Sequence, residues 1–444
     1  MTISKPLILI CATPIYGHVM PIRAIGKELV ARGYDVTFVT GSIYKKRIES
    51  IGAKLIALEG IADIAEETLK DERESIPAGP AQFAFDMENY FVNPIPAQHF
   101  ALQRALKILG EQHPGQRIVM LNESSYMGSI PCLLGAPGIR PTASIAIGII
   151  PIFLRSKDTA SFGPGMLPDD SFKGRARNAA MNKAMEENIL VKPDQRFKEI
   201  LAELGVKDSA PFFMDSPYVT GDCFLQMCIP SMEYSRSDQP PTLHFAGGLP
   251  KGLRDPLVVF PNWWSDITQD KTKKVVAVSQ GTLKLNYTEL IIPTMHALKD
   301  HSDVIVVVAL GRRGATLPKG TVVPENARVV DFIPFDDLLP YCAAFITNGG
   351  YGSFQHGISN GVPMVFAGAT EDKPEVAARA EWAGVAINLR TGRPTAEQVQ
   401  GAVDEIFNNS KYKARSLELE EESKRYVAMD ILESTIQDVA VTKP

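Results

Sequence analysis

The sequence predicts an α/β chain made of two doubly wound domains, each a parallel sheet covered by helices. Its 444 residues exceed what one ordinary hydrophobic core organises. Apolar runs of strand length alternate with amphipathic segments of helix length in both halves. The alternation breaks near residue 246, in a stretch dense in Pro, Gly and charge, and restarts near residue 271.

The first half begins with "LILICAT", a near-continuous apolar run expected of a strand covered on both faces. The next segment puts Ile22, Ile25 and Leu29 on one helical face, with Pro21 in the first turn and Gly33 at the stop. "DVTFVTG" reads as a strand, "SIYKKRIESIG" as a helix capped by Ser42, and "AKLIALEG" as a strand. Strand, helix, strand, helix, strand is how a doubly wound parallel sheet starts. After the helical "HFALQRALKILG", the strand "RIVMLNE" ends at Asn122 and Glu123, and "TASIAIGI" follows. Between about Phe153 and Gly205 the chain becomes amphipathic and charged, as helices covering a cleft would be.

The second half repeats this architecture without repeating the sequence. "KKVVAVSQGT" is a strand and "TELIIPTMHALKD" a helix; "DVIVVVALG", "ARVVDFIPF", "AAFITNGG", "PMVFAG" and "VAINL" are further strands. The expected boundaries are a first domain over 1–246, a linker over 247–270, a second domain over 271–424, and a helix over 425–444 that packs back on the first domain.

Composition narrows the function. The apolar fraction of 45% suffices for two cores, and a net charge of −5 without blocks of like charge argues against a nucleic acid or a membrane surface as partner. Five scattered cysteines read as reduced, buried thiols, Cys223 and Cys228 included. The apolar core of the N-terminus, only about six residues, is too short for a signal sequence or membrane span, so a cytoplasmic protein is expected. The Asn-x-Ser/Thr triplets at Asn122, Asn286 and Asn408 then read as accidental, and His99, His113, His244, His296 and His301 as structural or surface residues.

Two stretches carry chemistry. In "CATPIYGHVMP" a lone histidine, His18, follows the first strand, where ligands of open α/β sheets bind. In "TNGGYGSFQHGISNGVPMV", residues 347–365, a strand stops at Asn348, Gly349 and Gly350, and Gly352 with Ser353 opens a helix. Glycines there let a ligand approach the backbone, and the N–H groups of a helix start favour phosphate oxygens. The stretch is not a P-loop, which needs a Lys-Ser/Thr pair, nor a dinucleotide fingerprint, whose third Gly is replaced by Gln355.

Together these residues resemble the nucleotide-sugar glycosyltransferases that glycosylate small molecules. Gly-His-x-x-Pro after the first strand and the run from Phe332 to Lys373 carry the likeness most strongly, and residues 61–205 carry it least. The resemblance implies the GT-B fold, in which two Rossmann-like domains face each other across a cleft. It also implies an inverting transfer of a hexose, glucose from UDP-glucose above all, to the hydroxyl of a small, largely apolar acceptor. His18 matches the family's general base; a hydroxyl is a weak nucleophile, and imidazole titrates near neutrality.

Where the family usually orients this histidine with an aspartate, the chain offers Asn122, with Glu123 beside it. For the donor, the resemblance implies Gly17, Thr282 near the diphosphate, Phe332 and Ile333 at the base, Asn348, Gly349, Gly350, Gly352 and Ser353 at the phosphates, His356 at the ribose, and Asp372 and Lys373 at the sugar. Asn348, His356, Lys373 and Phe332 stand where His, Glu, Gln and Trp are usual; Lys373 could bind an altered sugar or pair with Asp372 or Glu375. The UDP-sugar would be a co-substrate, with no cofactor. No Asp-x-Asp motif is present, so no divalent metal is expected at the diphosphate, whose charge the helix start would meet. The Phe, Tyr and Met residues of "FAFDMENYFVNPIP" and "SFGPGMLPDDSF" suit an apolar acceptor. A sugar-nucleotide epimerase and a non-catalytic sugar-nucleotide binder of the same fold are the alternatives.

Overall fold

The computed structural model describes residues 5–63, 66–250, 259–270, 272–281 and 285–441. The first sheet contains β1 (Leu7–Cys11), β2 (Val36–Thr40), β3 (Lys54–Ala57), β4 (Ile118–Glu123), β5 (Ala143–Gly148), β6 (Cys223–Gln226) and β7 (Leu243–Phe245), all parallel, in the order β3-β2-β1-β4-β5-β6-β7. The second contains β8 (Lys274–Ser279), β9 (Val304–Ala309), β10 (Ala327–Val330), β11 (Cys342–Thr347), β12 (Met364–Phe366) and β13 (Ala386–Asn388), also all parallel, in the order β10-β9-β8-β11-β12-β13. Each order reverses next to its first strand, so the switch points lie at the carboxyl ends of β1 and β4 and of β8 and β11.

Strand pleating sorts the side chains of the first sheet between two cores. Ile8, Ile10, Val119 and Leu121 join one core; Leu7, Leu9, Ile118 and Met120 join the other. The first core is covered by α1 (Tyr16–Ala31) through Val19, Ile22, Ile25 and Leu29, the second by α2 (Ile95–Gln112) through Leu102, Leu106 and Leu109. Three further helices bear on the site: α3 (Tyr351–Ser359) follows β11, α4 (Lys373–Trp382) follows β12, and α5 (Ala428–Val441) comes last. The spacing of Ala428, Leu432, Ile436 and Ala440 forms an i, i+4 stripe, which lies in the same core as α1. Arg32 Nη1 at the end of α1 donates to Glu433 Oε2 at 2.7 Å, fixing α5 there.

Three local expectations need correction. Helix α1 starts at Tyr16, so His18 is in its first turn and Pro21 in its second. There proline removes one helical hydrogen bond, the one its N–H would have made to the Gly17 carbonyl. Ser42 is not a side-chain cap: a 3-10 turn, Ser42–Tyr44, leads into the short helix Lys45–Glu49, and the Ser42 backbone N–H donates to Asp63 Oδ1 at 2.8 Å. Strand β7 follows Pro240 and Pro241 in what composition marks only as a linker approach, and its three residues are too few for a periodic signal.

Candidate active site

The first-domain half of the site sits at the β1 and β4 switch point. Leu121 belongs to the α1 core and Met120 to the α2 core, so alternation sends Glu123 toward α1 and Asn122 toward α2. Glu123, fully buried, places Oε1 3.0 Å from His18 Nδ1. The Ser125 backbone N–H donates to the same oxygen at 2.8 Å, and Thr13 Oγ1 donates to the Ser125 carbonyl at 2.9 Å, which ties the two loops together. Thus Glu123 supplies the carboxylate beside the histidine. Asn122 is buried on the other face of the sheet, and its Oδ1 has no hydrogen-bond partner among the described residues.

An apolar surface adjoins His18. The imidazole ring lies 6.0 Å from the ring of Phe91, in the helical turn Met87–Val92. Phe91 belongs to a cluster with Phe83, Met87, Phe153 and Phe162. Residues 83–91 and 153–162 are thereby brought together from the stretches that the sequence assigned to an acceptor.

The second half sits at the β8 and β11 switch point. Strand β11 ends at Thr347 and Asn348 begins the loop; Gly349 adopts φ 91° and Gly350 is the N-cap of α3, which brings Gly352 and Ser353 into the first helical turn. A side chain at Gly368 would strike the Asn348 carbonyl, its Cβ 2.0 Å away, so this glycine lets the loop after β12 pack on the loop after β11. That second loop carries Asp372 and Lys373 at the start of α4. Burial pushes the Asp372 carboxyl up, the Lys373 charge beside it pulls it down, and Glu371 adds to the rise.

The remaining donor-side residues have diverse surroundings. Asn348 Nδ2 donates to the Gln280 carbonyl at 2.6 Å, and Gln280, buried, accepts the backbone N–H groups of Leu290 and Ile291. His356 Nδ1 lies 3.0 Å from Asp336 Oδ1. Phe332 is 38% exposed and lies under the Arg313 guanidinium, whereas the Ile333 side chain is core, leaving only its backbone to face a ligand. Gly17 is exposed in the first turn of α1. Thr282 lies outside the described residues. Lys373 pairs with Glu371 rather than with Asp372 or Glu375.

Sequence reasoning passed over several residues that join the halves. Gln355, remarked only as a broken glycine pattern, donates to the Met227 carbonyl at 2.9 Å and accepts from Leu249 N–H at 3.2 Å. Tyr351 Oη accepts from Gln226 Nε2 at 3.1 Å. Glu371, at φ 55°, lies 3.9 Å from Arg73 of the first domain. Glu375 and Arg379 of α4 reach the first domain as well. All five cysteines are buried and unpaired. Among the described residues, no set of three His, Cys, Asp or Glu side chains is grouped to hold a metal ion, and no helix is long and apolar enough to cross a membrane.

Two parallel-sheet domains whose switch points face each other, a carboxylate-held histidine on one and a glycine-rich helix start on the other, define the GT-B class of glycosyltransferase. Residues 294–428 match the erythromycin biosynthesis protein CIII-like C-terminal domain family. The chain is 42% identical to UDP-glucosyltransferase A1 of Starmerella bombicola, over 98% of this chain and 93% of the relative. It is 39% identical to UDP-glucosyltransferase 1 of Beauveria bassiana, over 98% and 95% respectively. In fold it is similar to the glycosyltransferase of kitacinnamycin, with a TM-score of 0.72 at 19% identity over 98% of this chain and 99% of the other. The chain belongs to the UDP-glycosyltransferase family and is a UDP-sugar-dependent glycosyltransferase.

Proposed function

We propose that the protein transfers glucose from UDP-glucose, with inversion and without a metal ion, to the hydroxyl of a small, largely apolar acceptor, and that His18 is the general base. The observation that carries this reading is the contact between His18 Nδ1 and the buried Glu123. With Nδ1 held, Nε2 takes the proton of the acceptor hydroxyl as that oxygen attacks the anomeric carbon. The bond from that carbon to the diphosphate oxygen breaks on the opposite face, and UDP leaves. Glu123 stabilises the imidazolium that forms, a role an amide could not fill by charge.

The N–H groups at the start of α3 and the Ser353 hydroxyl meet the diphosphate charge. Asp372 and Lys373 face the hexose hydroxyls. The names of the relatives support glucose as the donor sugar. The aromatic cluster beside His18 supports an apolar acceptor. The carboxylate at His18 favours turnover over binding alone, the second reading.

The test is to incubate the enzyme in EDTA with UDP-glucose and either 4-nitrophenol or 1-decanol, following products by mass and proton NMR. A β-glucoside and stoichiometric UDP are expected. An α-glucoside, a strict metal requirement, or an epimerised donor in the absence of acceptor would refute the proposal.

A further inference from the structure

We propose that Glu375 is a positioning residue: it seats the first-domain loop around Phe162 on the donor-side helix α4 and so fixes one wall of the acceptor site. The inference rests on the proposed reading of the aromatic cluster as that wall.

Glu375 lies two residues beyond Lys373, almost wholly buried. Its Oε1 accepts the backbone N–H groups of Gly163 at 2.7 Å and Gly165 at 2.9 Å, both more than two hundred positions earlier in the chain. Its Oε2 accepts from Arg379 Nη1 at 2.7 Å. Arg379, itself buried, donates through Nε to Glu233 Oε2 at 2.8 Å and through Nη2 to the Ile152 carbonyl at 2.8 Å. Both oxygens of the carboxylate are therefore committed, one to the loop and one to a cation anchored in the first domain. Such charge-assisted bonds are short and directional, and losing one side leaves a buried charge without its partner.

The loop is shaped for this contact. Gly163 and Gly165 have φ of 124° and 62°, in the region that favours glycine. A Cβ at Gly165 would lie 2.4 Å from the Pro374 carbonyl, so only glycine permits this approach to the start of α4. Immediately before the two glycines, Phe162 packs in the apolar cluster: its ring centroid is 6.1 Å from Phe153 and 6.5 Å from Phe83. One short helix start thus holds Asp372 and Lys373 toward the sugar and Glu375 toward the acceptor wall. The contact sets the acceptor site against a loaded donor site and keeps water from taking the acceptor's place at the anomeric carbon.

The experiment compares the full-length wild type with Gly165→Ala, Glu375→Ala and Glu375→Gln. Gly165→Ala disturbs the loop contact while leaving the Arg379 and Glu233 pair intact, so it tests the idea even where Glu375→Ala folds poorly. In Gly165→Ala the KM for 4-nitrophenol should rise about tenfold, equivalent to ~1.4 kcal/mol, while the KM for UDP-glucose changes less than about twofold. The ratio of UDP-glucose hydrolysis to transfer should rise with it. Glu375→Gln, which retains an oxygen for the two N–H groups, should recover part of what Glu375→Ala loses. An unchanged acceptor KM, or a donor KM that rises in step, would overturn the proposal. Failure of the wild type to glucosylate any acceptor would count against the proposed reaction alone. The seating is then read by amide hydrogen exchange at Gly163 and Gly165, which should quicken in Glu375→Ala; unchanged protection would overturn it.

Discussion

Replacing Glu123 by Gln tests the base at its support. The amide keeps an oxygen for the Ser125 N–H and for the close contact with His18 Nδ1, and it removes only the charge. At the observed 3.0 Å, a full unit charge on the imidazole and an effective dielectric of about 20 give an attraction of ~5 kcal/mol. At the transition state the proton is about half transferred, so ~2–3 kcal/mol is the share expressed in the barrier, or about 30- to 150-fold in kcat. Donor binding stays unchanged, because Glu123 lies on the first-domain side. Loss of the negative neighbour also makes the imidazole harder to protonate, so the acid limb of the kcat/KM profile moves to lower pH. Stopped assays of UDP release across pH, at saturating donor, measure both effects. A variant within threefold of wild-type kcat and with an unmoved acid limb would refute Glu123 as the partner of His18.

Two further outcomes follow from the packing. Gly368→Ala forces its new methyl against the Asn348 carbonyl and should cost about 1–3 kcal/mol of stability, with weaker UDP binding by calorimetry as the donor loop shifts. Glu433, whose carboxyl is pulled below the ordinary glutamate range chiefly by its hydrogen bond with Arg32, contributes stability that is present above that range and lost as pH falls through its lowered value. Thermal unfolding of Glu433→Gln should therefore lie below wild type at neutral pH and converge with it in acid; parallel curves throughout would contradict the assigned role.

Much of this architecture was legible because parallel strands buried on both faces leave long apolar runs, as "LILICAT" and "DVIVVVALG" do. The site loops were legible for a related reason: a switch point needs a short strand-to-helix turn, and "CATPIYG" and "TNGGYGS" show one each. The choice between Asn122 and Glu123 was not, because adjacent strand residues differ only in which face they take, and strand β4 is apolar on both sides. The start of α1 was obscured by Pro21, which marks a helix start more often than a second turn. Glu371, Glu375, Arg379 and Gln355 gave no local signal. Their partners are 73, 163, 165, 233 and 227, far away in sequence, and a charged residue in an amphipathic helix looks like solvated surface until the other domain is laid against it.

The most direct measurement is made on His18→Ala. With UDP-glucose and 4-nitrophenol, removal of the base should lower kcat by about 10²- to 10⁴-fold, while the affinity for UDP measured by calorimetry changes less than about twofold, because the proposed diphosphate site is on the opposite domain. Turnover near the wild-type rate, in a variant that still binds UDP, would contradict the assignment of His18 as general base.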